Sequence, residues 1–92
     1  MTTADEYIRN FSKERHASIP HAVVGKHILE GKSLIRAWRE NKRLTQREVA
    51  AAMGVAQATF AAMEKSGATP RRSSLEKIAA AMDLQMEQLM EE

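Results

Sequence analysis

The stretch QREVAAAMGVAQATFAAMEK, residues 46–65, decides the fold. Val49, Val55, Phe60 and Met63 are its apolar anchors, Ala50 is small, and Gly54 falls where the chain must turn. Two short helices that cross steeply over a tight turn need a small side chain where their backbones approach. They also need glycine where the first helix reverses with positive φ. The four anchors then share one core, and the outer face of the second helix stays free. Such a face fits the major groove of DNA while the first helix lies against the backbone. An ordinary helical hairpin inside a bundle would satisfy the same apolar spacing, but it does not call for the basic flanks described below.

Working outward, Thr45 and Glu48 stand three residues apart and form a capping box that opens the first of these helices. Upstream, Ser33 caps a helix running to about Asn41 that buries Leu34, Ile35 and Trp38 on one side. Before it, Pro20 suits a first helical turn. That helix runs to Glu30 and stops at Gly31, with Val23, Val24, His27 and Ile28 as its apolar stripe. Downstream, the second helix of the pair spans about Gln57 to Lys65 and breaks over residues 66–70. Ser73 and Glu76 read as a second capping box, opening a helix through about Met82. Asp83-Leu84-Gln85 contains no Gly or Pro, which leaves open whether that helix breaks there. One or two final turns carry Met86, Leu89 and Met90, a stripe suited to the core or to a dimer seam. Met1 to Ala17 is polar apart from Tyr7, Ile8 and Phe11, and reads as either a short helix or a mobile arm.

Ninety-two residues make one small domain. With 43% hydrophobic residues but only four aromatics, its core must be mainly aliphatic, Met and Ala. No cysteine is present, so no disulfide or thiolate zinc site supports the fold. The longest apolar runs, Val49–Met53 and Ile78–Met82, have five residues. A membrane span needs about 20 and a signal peptide core about 7–15, so the chain reads as soluble and cytoplasmic. The net charge of +2 hides an uneven distribution. Residues 1–31 sum to zero, residues 32–72 to +6 and residues 73–92 to −4. A basic middle is what a nucleic-acid face requires, although a solvated surface produces similar patches. Arg43, Arg47, Lys65, Arg71 and Arg72 flank the central motif and are its phosphate candidates.

Other chemistries lack their residues. His16, His21 and His27 are spaced by five and six, which does not put them on one helical face, and no Cys or carboxylate cluster completes a metal site. Asp5 and Asp83 are the only aspartates, and no orienting motif joins them to a Ser/His pair. A glycine-rich phosphate loop is absent. Neither a catalytic site nor a cofactor is expected. Trp38 reads as a core anchor rather than a ligand-stacking platform.

Leu44-Thr45-Gln46, Ala50, Gly54-Val55 and Gln57, followed by Glu64, Gly67, Leu75, Ile78, Ala79, Met82 and Leu84, resemble the Xre/Cro–CI helix-turn-helix regulators over residues 33–90. The order Ile19-Pro20-His21, Glu30-Gly31-Lys32-Ser33-Leu34 and Ala37-Trp38-Arg39-Glu40 narrows the resemblance to Xre-type antitoxins of type II toxin–antitoxin pairs, the HigA group. The resemblance implies an all-α, compact five-helix lambda-repressor-like domain over residues 32–92, with residues 1–31 as an N-terminal helical extension. It implies that Gln46 hydrogen-bonds a DNA phosphate at the positive end of its helix. Gln57 would read a base edge, adenine above all, while Ala58 and Thr59 touch bases through methyls or a hydroxyl. Arg39 and Glu64 match a partly buried ion pair that ties the first core helix to the reading helix. Ala56 stands where such regulators usually place Ser or Thr, which forgoes a cap and a possible phosphate contact. Asp83 replaces a common Gly, so the last helices are expected to join differently. The functional unit implied is a homodimer on a palindromic operator in double-stranded DNA. A RelE/HigB-like toxin would be a second partner, held by residues 1–31. A stand-alone regulator without a toxin and a purely protein-binding helical adaptor are the other readings.

Overall fold

Helices are the local solution almost everywhere the caps and apolar stripes predict them. The computed structural model describes residues 19–90. Five α-helices follow one another: α1 (His21–Glu30), α2 (Leu34–Asn41), α3 (Gln46–Met53), α4 (Gln57–Met63) and α5 (Arg72–Ala81), with a closing 3₁₀ turn at Met86–Gln88. The described residues form no strand.

Side chains set the starts of α2 and α3. The Arg36 N–H donates to Ser33 Oγ at 3.1 Å, and the Ser33 hydroxyl donates onward to the Glu64 carbonyl. At α3 the Glu48 N–H donates to Thr45 Oγ1 at 3.0 Å, and the Thr45 N–H donates to Glu48 Oε1 at 3.1 Å. Two first-turn amides that would otherwise be orphaned are thereby satisfied reciprocally. Ala56 has no side chain to do this for α4, a loss of about 1 kcal/mol. The second capping box does not form. α5 begins at Arg72, with Arg71 in the capping position. Ser73 therefore already carries helical backbone and cannot cap the turn it belongs to. Glu76 instead pairs with Arg72 Nε at 3.5 Å. α4 also ends earlier than expected, with Glu64 as its C-cap and Lys65 beyond it.

Three helices end alike. α2, α3 and α5 each close on a left-handed residue: Arg43 (φ 58°), Gly54 (φ 74°) and Asp83 (φ 55°). Each is followed by an apolar residue whose N–H reaches back to the last turn. The bonds are Leu44 to Arg39 O (3.0 Å), Val55 to Ala50 O (3.0 Å) and Leu84 to Ala79 O (2.8 Å). This arrangement satisfies the last carbonyls and tucks the apolar residue under the helix; Leu44, Val55 and Leu84 all pack against the core. Gly54 adopts the conformation without penalty. Asp83, despite replacing the common Gly, makes the same turn, because a short polar side chain tolerates the left-handed region. Arg43 has no such excuse, and a left-handed L-residue costs about 1–2 kcal/mol.

The core runs through every helix: Ile19, Val23 and Val24, then Leu34, Ile35, Ala37 and Trp38, Val49 and Ala50, Phe60, Ile78, Ala79 and Met82, and finally Leu89. Val23, Val24 and Phe60 are wholly inaccessible. From Ile19 onward, the segment expected as an extension belongs to the same core; residues 1–18 lie outside the described residues. Trp38 is a core anchor, 4% exposed, and its Nε1 donates to the Gln88 carbonyl at 2.8 Å. That bond pins the 3₁₀ turn to α2. Of the final stripe, Leu89 is buried and Met86 half-buried, whereas Met90 is 44% exposed.

A polar clamp joins α1 to α2. Glu40 accepts from Lys32 Nζ (2.7 Å) and Arg36 Nε (2.8 Å), with Lys26 Nζ at 3.5 Å. Hydrogen bonds from Lys32 and Arg36 hold its carboxyl at about 2, down from 4.5. A carboxyl depressed in the folded state stabilises the fold above its unfolded value, and that contribution fades as pH falls through the folded value. The clamp should therefore weaken between pH 4.5 and 2, costing about 1 kcal/mol at pH 3 because solvent screens the pair. Glu40→Gln removes this part of the acid sensitivity. Urea unfolding at pH 7 and pH 3 reads it out; an equal loss in both proteins would refute the role.

Candidate nucleic-acid interface

α3 packs against both α4 and α5, which leaves the far side of α4 uncovered. Phe60 points inward and is fully buried. Ala56, Gln57, Ala58, Thr59 and Ala62 are exposed. The outer face therefore presents one amide, one hydroxyl and several methyls, with no charge between Ala56 and Met63. A short helix this poor in polar side chains contributes shape and methyl surface, with Gln57 as its main hydrogen-bonding group.

An ion pair holds this face in place. Arg39 on α2 donates from Nε to Glu64 Oε2 at 2.7 Å and from Nη2 to Oε1 at 3.0 Å. Glu64 is 4% exposed and the Arg39 side chain 13%. The guanidinium also donates from Nη1 to the Leu44 carbonyl at 2.9 Å. Two parallel bonds fix both planes, so the end of α4 and the α2–α3 turn are locked to α2.

The glutamines extend this lock outward. Gln46 Nε2 donates to Glu64 Oε1 at 2.6 Å, and Gln57 Nε2 donates to Gln46 Oε1 at 3.4 Å. The chain Arg39–Glu64–Gln46–Gln57 thus runs from the interior to the exposed face. With one amide hydrogen given to Gln46, Gln57 keeps a second N–H and its Oε1 for an outside partner. The bond from Gln46 to Glu64 was not legible in the sequence, where the two residues lie eighteen apart.

The remaining basic candidates divide. Arg43 lies in the α2–α3 turn, Arg47 in the first turn of α3, Lys65 just past α4 and Arg71 at the start of α5. All four are exposed, and among the described residues none makes a side-chain hydrogen bond or ion pair. Arg72 alone leans on an acid, Glu76. The acids of the 46–65 stretch are occupied, Glu48 in its capping box and Glu64 beneath Arg39. Its cations Arg47 and Lys65 consequently face solvent uncompensated.

Among the described residues, no group of His, Cys, Asp and Glu could hold a metal ion. No helix there is long and apolar enough to cross a membrane. His21 is exposed, and His27 Nδ1 lies 2.7 Å from the Lys32 carbonyl; His16 is outside the described residues.

A family model described as helix-turn-helix matches residues 35–89. No curated protein and no solved structure matches the chain.

Proposed function

The chain belongs to the helix-turn-helix family of DNA-binding transcription regulators, and on that premise we propose that it is a sequence-specific repressor reading DNA with the outer face of α4. The observation that carries this reading is the exposed Gln57 face, wired through Gln46 to the buried Glu64–Arg39 pair. A reading surface gains from being held still before it binds, because less side-chain freedom is lost on contact.

In this mechanism the start of α3 lies against the DNA backbone, where Gln46 and its helix end meet a phosphate. α4 enters the major groove, and the remaining N–H and Oε1 of Gln57 pair with adenine. Ala58 and Thr59 contact thymine methyls, and sequence-dependent shape adds discrimination at positions not touched. Arg47, Lys65, Arg71 and Arg72 neutralise phosphates on the flanks. Ala56 contributes closeness rather than a hydrogen bond. A homodimer places two such helices on half-sites about 34 Å apart, so the operator is a palindrome. Occupying it in the protein's own promoter blocks polymerase. The test is affinity of the full chain for a selected operator against random duplex at physiological salt. A preference of about 1,000-fold or more is expected; equal affinities would refute sequence reading.

The finer reading is an antitoxin that also neutralises a RelE/HigB-like toxin through the residues preceding α1. Ile19, Val23 and Val24 are core residues, so the informative truncation removes residues 1–18 only. Co-expression with the product of the neighbouring gene should yield a stoichiometric complex that this truncation abolishes while DNA binding persists. Absence of both complex and toxicity would leave a stand-alone regulator. A complex that survives truncation would place the interface elsewhere.

A further inference from the structure

A groove of about 450 Å³ opens at the C-terminal end of α4, within the size range of small-molecule sites. Its floor is the core itself, formed by the buried side chains of Leu34, Ile35 and Leu89. Half-buried Met63, Leu75 and Pro70 and the exposed Met90 surround that floor. The walls are the α1–α2 turn at Gly31 and the segment from Lys65 to Pro70, which links α4 to α5. The Ser66 hydroxyl joins the two walls, donating to the Gly31 carbonyl at 2.7 Å.

The charge around this groove has one sign. Lys32 and Lys65 line it, together with His27, and no aspartate or glutamate does. Lys32 already serves Glu40 at 2.7 Å and Glu30 at 3.2 Å. Lys65 is exposed and makes no side-chain hydrogen bond or ion pair among the described residues. Its main chain is nevertheless held on both sides, because Glu64 is buried against Arg39 and Ser66 is hooked to Gly31. An ammonium at the edge of an apolar trough suits a ligand with a hydrocarbon body and a carboxylate at one end.

We propose that this groove binds a free apolar monocarboxylic acid, with the hydrocarbon over Leu75, Leu89 and Met90 and the carboxylate on Lys65. The reading of α4 as the DNA-recognition helix counts the same ammonium among its phosphate contacts, and on that reading the acid acts as an inducer. An ammonium that meets the ligand is withdrawn from the DNA backbone, so occupancy of the groove weakens the operator complex without touching α4.

The experiment uses the full-length protein with sodium octanoate as the probe. Trp38, the single tryptophan, donates to the carbonyl of Gln88 beside Leu89, so its emission reports on the floor with no DNA present. Octanoate should change that emission saturably with a midpoint of about 1 mM or below, about fivefold lower than the midpoint for octan-1-ol. Acetate at the same concentration should change nothing. Lys65→Met should bind acid and alcohol alike, and Met90→Glu should weaken the acid about fivefold. On a short mixed-sequence duplex at about 0.1 M salt, saturating octanoate should lower wild-type affinity about eightfold and flatten the slope of log affinity against log salt by about 0.9. The weaker binding of Lys65→Met should not respond to octanoate. No saturable response, or an equal one to octan-1-ol, would overturn the site. An acid preference that survives Lys65→Met would overturn the role of its ammonium, and an unchanged slope would overturn the competition. Octanoate binding that appears only once residues 1–18 are removed would give the groove to that segment instead. A wild type without salt-dependent affinity for duplex would overturn the DNA reading and the inducer role together, while Trp38 emission judges the groove independently.

Discussion

Glu64→Ala should lower the stability of the protein by about 3 kcal/mol, the cost of leaving a largely buried charge without its partner. Arg39 would keep only the Leu44 carbonyl, with its side chain 13% exposed, too little for water to replace two charge-assisted bonds. In a domain of this size such a loss corresponds to a fall in melting temperature of about 12–24 °C, large beside a total stability of about 5–15 kcal/mol. The pair itself need not be net stabilising. Arg39→Met combined with Glu64→Leu should return most of the loss, because apolar residues of similar volume often replace a buried pair at little cost. Urea unfolding of the wild type, Arg39→Met, Glu64→Leu and the double variant measures the coupling directly. A Glu64→Ala cost below about 1 kcal/mol would mean the pair behaves as a solvated surface contact. The double variant also separates fold from function. Its Gln46 no longer has Glu64 Oε1 to hold it, so operator affinity should stay low even where stability returns.

Gln57→Ala should leave stability nearly unchanged, since the side chain is exposed and its one internal bond is long at 3.4 Å. Its effect falls on specificity. Losing a bidentate amide–adenine contact costs about 1–3 kcal/mol, or roughly 5- to 150-fold, at one base pair. Operator variants with each A·T pair exchanged in turn should show the discrimination flattened at a single position in each half-site. Affinity for random duplex and the salt slope should not move. A uniform loss across all sequences with a shallower salt slope would instead make Gln57 a phosphate contact, and the base reading would have to come from Thr59 and the methyls.

Much of this architecture was open to reading from residues a few positions apart. The Thr45–Glu48 box, the Ser33 cap, Gly54 and the apolar positions of α2 to α4 work within one helical turn or one tight reversal. Their structural effect depends on the neighbours the sequence displays. The Arg39–Glu64 pairing came from resemblance rather than from spacing, because twenty-five residues separate the two. The Ser73–Glu76 box shows the limit of local signals. Its pattern was sound, yet the helix starts two residues early, at Arg72, and leaves Ser73 inside.

An all-helical chain, the turn at Gly54 and the basic middle follow from the residues alone, because caps, reversals and charge are properties of the chain and its near neighbours. Packing, by contrast, brings residues from Ile19 onward into the core and makes Lys26 and Lys32 converge with Arg36 on Glu40. It alone placed Gln46 between Glu64 and Gln57 and put Arg43 in a left-handed turn. These outcomes depend on where the helices cross and on which donors then lie within about 3 Å of which acceptors. No spacing along the chain encodes a distance set by packing.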